Sequence, residues 1–301
     1  MSKVIRSYEK QILLNNAYES WIQAIKNARN IKNGLVTLQY KKLFIATLHN
    51  AVELFLKQIM LNNTDYRVAK VKPSKLDKNG EPLKSYYQST DLNDYFKNLS
   101  PDNRKNYFSI EFAELIEIHK EILSIWLAAG ATYKPELKLL QKLRNDETHF
   151  YIEPEEFLTD AEFICLHNFM LDFNKILESA DLLYIGNMPV AEENLLCFSD
   201  APINNSNFSF ELAVKSSPKV KTISDIINNQ RFDYFIPPYE LAECFEKEFS
   251  KEGISFDEAF SYIKSMLEYD FIDFIEENGT IEDEFGRAQE GFLGYILISI
   301  L

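Results

Sequence analysis

The sequence predicts a mainly α fold. A helical bundle over residues 1–185 carries a long insertion, 64–105, between its second and third helices, and a smaller acidic region, 186–301, of α or α+β type follows. Three observations predict this. Apolar residues recur at spacings of three and four through most of the first 185 positions, the period of an amphipathic helix. Only 9 glycines and 10 prolines occur in 301 residues, too few turn residues for an all-β chain. Most of the prolines fall in two stretches, 64–105 and 186–221, that interrupt the helical period.

The elements follow in order. Leu14, Tyr18, Trp21, Ile25 and Ala28 form one face of a first helix, which the turn Asn30–Gly34 closes. A second helix runs from about Leu38 to Leu61, with Ile45, Leu48, Val52, Phe55, Leu56 and Ile59 as its stripe. The insertion then reads as a polar loop with at most short helices. Periodicity returns over Ile110–Ala129, with Gly130 as its stop. Pro135 opens the next helix, and Pro154 with Glu155 and Glu156 opens another that runs to about Leu183. In the acidic region, Phe208, Phe210, Leu212 and Val214 alternate with polar residues and predict a strand. From Thr222 onward the pattern predicts helices, the last of them acidic, through EYDFIDFIEENGTIEDE.

Composition narrows the class. With 46% hydrophobic and 26% charged residues the chain can build a core and is not disordered as a whole. The polar start lacks the apolar core of a signal peptide, and no uncharged apolar run reaches the ~18 residues of a membrane span, so neither secretion nor a membrane is expected. Three widely spaced cysteines, with no CxxC pair, predict neither a zinc knuckle nor a disulfide framework and suit a reduced cytoplasm. Phosphate-binding loops, dinucleotide fingerprints, HExxH and GxSxG motifs are all absent from the sequence, and no cofactor is expected.

Charge divides the chain. Residues 1–150 hold 23 Lys and Arg against 16 Asp and Glu, a net of +7; residues 151–301 hold 9 against 30, a net of −21. A basic half suits a polyanionic partner, and the acidic half is either a solubilising module or a competitor for the same surface. Within the insertion, Arg67, Lys70, Lys72, Lys75, Lys78 and Lys84 interleave with Tyr86 and Tyr87. That pattern fits either a solvated loop or a surface on which single-stranded nucleic acid stacks.

One segment carries chemistry, Leu143–Tyr151, LRNDETHFY. Arg144 is permanently charged, and its planar fork of donors matches phosphate oxygens. His149, five residues on, titrates near neutral pH and can take or give a proton. Together they can cleave RNA without metal: a base activates the 2′-hydroxyl, and the guanidinium stabilises charge growing on the nonbridging oxygens. DNA lacks that hydroxyl. The alternative is a helix-end Arg paired with Asp146 or Glu147, beside a His that caps the last carbonyls. His49, Glu53 and Lys57 stack at i, i+4 and i+8 on the second helix, either lining the cleft in support of that pair or forming an exposed charged stripe. His119 and His167 lie in apolar stripes and read as hydrogen-bonded core or interface residues.

The segment resembles the RN-x3-H and Arg-x4-His-x-Tyr motif of the HEPN superfamily, α-helical proteins of which many are ribonucleases. The second helix, LFIATLHNAVELFLKQIML, is similar to the HEPN helix with an "nAvElflK" pattern that packs beside the motif. The resemblance covers roughly residues 1–185. It implies a HEPN-like bundle of four to five helices, a homodimer that joins two motifs in one cleft, and metal-independent RNA cleavage in toxins and antiphage effectors. Arg144 and His149 match the catalytic pair, and Asn145 the polar position after the Arg. Tyr151 matches a Tyr that is modified to silence toxins paired with a nucleotidyltransferase antitoxin, which makes such an antitoxin an expected partner. Glu53, Lys57, Lys70 and Lys72 are the expected substrate-binding or regulatory residues. The other function the resemblance allows is a non-catalytic HEPN module that binds a nucleotide, RNA or protein partner.

Overall fold

The computed structural model describes residues 11–72, 81–147, 157–183, 202–204, 207–282 and 288–299. The chain is mainly helical with two small antiparallel sheets and divides into two compact units. Unit one comprises residues 1–27 and 42–204, and unit two comprises 28–41 and 205–301. The turn between the first two helices therefore goes with the acidic region rather than with the bundle.

Unit one contains α1 (Leu14–Lys32) up to residue 27 and most of α2 (Leu38–Asn62), two long helices where the apolar period places them. It continues with β1 (Ala69–Val71), α3 (Glu81–Gln88), α4 (Leu92–Asn98), α5 (Pro101–Arg104), β2 (Tyr107–Ser109), α6 (Phe112–Ile122), α7 (Lys134–Glu147) and α8 (Asp160–Ser179). Trp21 centres the core and is fully buried. Its ring meets Phe55 of α2 edge-on at 6.1 Å and Phe173 of α8 at 5.9 Å, and its indole N–H donates to Asn174 Oδ1 at 3.2 Å. Burying a ring of this size is a large apolar contribution, and the hydrogen bond removes the penalty of its one polar atom.

The insertion is more ordered than a polar loop. β1 and β2 pair antiparallel, Ala69 opposite Ser109 and Lys70 opposite Phe108, and the three short helices lie between them in sequence. Tyr86 is the reason: it is fully buried among Tyr66, Tyr87, Tyr95, Phe96 and Tyr107, with ring centroids 5.1–5.6 Å away. Its hydroxyl donates to the carbonyls of Tyr66 at 2.8 Å and Ala69 at 3.2 Å. Tyr86 is thus a core residue of the insertion and not a stacking platform for bases. Two boundaries also move. α6 stops at Ile122, short of Gly130, and α8 starts at Asp160, where Thr159 and Glu162 form a capping box just after Leu158 takes a left-handed φ of 62°. Pro154 lies outside the described residues.

Unit two contains α9 (Phe210–Ser216), α10 (Pro218–Ile227), β3 (Arg231–Phe232), α11 (Pro238–Cys244), α12 (Glu246–Lys251), α13 (Phe256–Glu268), β4 (Ile272–Glu282) and β5 (Ala288–Ser299). Two sequence expectations fail here. The Phe208–Val214 alternation is helical: Ser209 caps α9, and Phe210, Ala213 and Val214, at i, i+3 and i+4, are its buried face. The acidic segment after Glu268 is a strand, paired antiparallel with β5 from Ile272 opposite Ser299 to Glu282 opposite Ala288. The sheet order is β3-β5-β4. Within the same unit Gly34 (φ 94°) lets the 28–41 turn approach α9 closely; a Cβ there would stand 3.0 Å from the Ala213 carbonyl oxygen. Lys41, nearly fully buried, sits 3.9 Å from Glu268 and over the Phe210 ring. No described helix is long and apolar enough to cross a membrane.

Candidate functional site

α7 is positioned by Leu137, Leu140 and Leu143, all buried, so its last turn is held against the bundle. Arg144, next to Leu143, is half-buried, and Asn145 is exposed. His149 and Tyr151 lie outside the described residues; His149 falls two positions beyond the last residue of α7.

α2 turns its apolar stripe inward and presents His49, Glu53 and Lys57, one turn apart each, on another face. This row is not an exposed charged stripe. Lys57 is 6% exposed. Its ammonium donates to Glu53 Oε1 and to Ser109 Oγ, the latter at 2.8 Å. The other Glu53 oxygen stands 3.8 Å from His49 Nδ1. The imidazole packs on the Phe112 ring at 4.1 Å between centroids, tilted 47°.

These groups share one electrostatic environment with Arg144. Burial lowers the His49 pKa from 6.5 to about 4; Glu53 opposes the drop, and the charges of Arg144 and Lys57 add to it. The charge of the motif arginine of α7 is therefore felt at the imidazole of α2. The imidazole is neutral at physiological pH and able to accept a proton.

Of the expected binding lysines, Lys70 lies in β1 and Lys72 directly after it. Lys70, exposed, donates to Glu114 of α6, which holds that carboxyl below its usual range. The Lys72 backbone N–H bonds the Asn106 carbonyl at 2.8 Å, beside the β1–β2 ladder. Arg67 is engaged by Asp65 and Glu121. His119 is structural: its Nδ1 donates to the Ile116 carbonyl, and Nε2 accepts from the Tyr133 N–H. Burial lowers its pKa as well. Among the described residues no group of three or more His, Cys, Asp or Glu side chains is placed to hold a metal ion.

No family model, curated protein or solved structure matches this chain. The site therefore stands on its own geometry. The i, i+4 spacing of His49 and Glu53 is a local signal for that pair, and the members sequence reasoning missed are Ser109 and Phe112. Ser109 and Phe112 join through the insertion and α6, which no spacing announces.

Proposed function

We propose that the chain is a metal-independent endoribonuclease of the HEPN type, with Arg144 and His149 as its catalytic pair and a role as a toxin or phage-defence effector. The observation that carries this reading is the setting of Arg144. It is half-buried rather than on a fully solvated helix end, and its charge helps keep the His49 imidazole neutral. A guanidinium held there can bind the nonbridging oxygens of a scissile phosphate and stabilise the charge that builds on them. His149 supplies a proton-transfer group close behind it in sequence. Asn145, exposed on the same turn, adds a donor for the phosphate or ribose. The basic half of the chain favours encounter with RNA. A homodimer that joins two such motifs, and control by a nucleotidyltransferase antitoxin through Tyr151, belong to the same proposal.

The test is incubation of the purified chain with total RNA, tRNA and a matched DNA, with and without EDTA. Cleavage of RNA alone, unaffected by EDTA, is expected. His149→Ala and Arg144→Ala lower the rate by roughly 10²–10⁴, the scale of an acid–base or charge-stabilising group. Equal cleavage by wild type and His149→Ala overturns the assignment. Tight RNA binding without turnover assigns the chain to a binding module instead.

A further inference from the structure

We propose that the outer edge of β4, in unit two, is a docking site for an extended basic segment of a partner protein, which joins the sheet as a fourth strand. The inference is independent of the ribonuclease reading. The order β3-β5-β4 puts β4 at the end of the sheet, and among the described residues no strand pairs with its far side. Unpaired N–H and C=O groups along such an edge are a template for another strand. The register shows which groups point outward. Leu297 of β5 turns both backbone groups toward β3: its N–H donates to the Gln230 carbonyl at 2.9 Å, and its carbonyl accepts the Asn229 N–H at 2.8 Å. Phe274 stands opposite Leu297. Opposed residues of an antiparallel ladder either exchange hydrogen bonds or both turn away, so the N–H and C=O of Phe274 point out from the free edge. By alternation, those of Ile272 and Glu276 do the same. The Phe274 N–H agrees, since it donates to the carboxylate of its neighbour Asp273 at 2.7 Å. That carboxylate stands in for the carbonyl that an added strand would present.

The side chains along the edge set what fits it. Asp273, Ile275 and Glu277 share one face of the strand, and Phe274 and Glu276 the other. Ile275 is 49% exposed, and Asp273 and Glu276 are exposed beside it. On the second face the exposed ring of Phe235 packs on Phe274, with centroids 4.7 Å apart. Each face therefore offers an apolar position next to a carboxylate. The register shift between Glu277 and Asn278 ends the regular part of the edge, so the added strand spans Ile272 to Glu277.

Charge selects the occupant. Between Lys264 and Arg287 the chain holds eight Asp and Glu and no Lys or Arg. A second copy that pairs β4 with β4 sets Asp273, Glu276 and Glu277 among their own kind, and like charges opposite each other destabilise a ladder. Nucleic acid is repelled for the same reason. A strand with Lys or Arg opposite Asp273 and Glu276, and an aliphatic side chain opposite Ile275, gains cross-strand ion pairs and an apolar contact in addition to the backbone bonds. The same carboxylates thus hold off a like edge and admit a basic one.

The experiment titrates the full chain with a synthetic peptide of roughly ten residues that alternates Lys with Val and Ile, at low and high salt. Two control peptides accompany it. One is N-methylated at its central residues, which keeps charge and side chains but blocks strand pairing; the other carries Glu in place of Lys. The parent peptide is expected to bind, more weakly at high salt, and to slow amide exchange at Ile272, Phe274 and Glu276. Both controls are expected to bind at least about tenfold more weakly. Ile275→Lys, a change at an exposed position whose fold is checked by circular dichroism, should weaken the parent peptide by a similar factor. Equal binding of the N-methylated peptide assigns the effect to charge alone and overturns the proposal. So does an absence of binding at low salt, or an unchanged affinity in Ile275→Lys. A dimer by light scattering that Ile275→Lys dissociates gives the edge to a second copy and overturns the basic partner.

Discussion

The Lys57 ammonium donates to the Ser109 hydroxyl at 2.8 Å across 52 residues of sequence, and the same nitrogen holds Glu53 one turn back on α2. This bond ties the helix that carries His49 to the end of the insertion. Lys57→Met keeps most of the side-chain volume but strands a half-buried carboxylate. A loss of about 2 kcal/mol is expected, the scale of a hydrogen bond to a charged group. Lys57→Met combined with Glu53→Leu should lose less than the two single changes together, because no unpaired charge remains. Urea midpoints of the four proteins check this.

Acid should destabilise unit one through His49. Its folded pKa, about 4, lies below the unfolded 6.5. Above pH 6.5 the ring is neutral in both states and adds no slope. Between 6.5 and about 4 the unfolded chain binds a proton that the folded chain does not, so stability falls as pH falls, by something on the order of 3 kcal/mol at the end of the window. His119, lowered by burial, acts in the same direction. Denaturant midpoints measured at pH 7 and 4.5 should fall less for His49→Gln than for wild type.

Tyr86 should behave as a core residue of the insertion. Tyr86→Phe removes a hydroxyl bonded to two carbonyls and is expected to cost about 1 kcal/mol. Tyr86→Ala, which empties the centre of the aromatic cluster, is expected to cost about 3–5 kcal/mol. RNA affinity of a folded Tyr86→Phe protein should equal that of wild type. A selective loss of RNA binding in this variant would return Tyr86 to the surface.

Gly294 of β5 has a φ of 146°, and a Cβ there would stand 2.5 Å from the Phe232 carbonyl oxygen. Gly294→Ala should disrupt the β3–β5 pairing, which sets Phe232 opposite Tyr295. A loss of more than about 1 kcal/mol is expected, read as a lower thermal midpoint.

Much of unit one is legible in the sequence because helices are local. The stripes of α1 and α2 repeat within single helices, and Pro135 marks the start of α7. The strand β4 misleads for a physical reason. Phe271, Phe274 and Ile275 fall at i, i+3 and i+4, the spacing of a helix face, and the partner that makes the segment a strand lies downstream in β5. Phe208–Val214 errs the opposite way, since its alternation hides a Ser209-capped turn. In the site, Arg144 and the stacked His49, Glu53 and Lys57 can each be picked out locally. The partners that Ser109 and Phe112 supply to that row cannot, because they are set by how β2 and α6 pack on α2.

The assignment of residues 28–41 to unit two has a consequence in the order of synthesis. Those residues include the first turn of α2, and within unit two the Val36 N–H donates to Ser265 Oγ at 3.2 Å, a partner 229 positions later. At a synthesis rate of roughly 5–20 residues per second, Ser265 is made about 10–50 seconds after Val36. Until then the nascent chain has α2 in hand but not the residues against which its N-terminal turn settles. The helix that bears His49, Glu53 and Lys57 consequently leaves the ribosome well before the residue that fastens its N-terminal end.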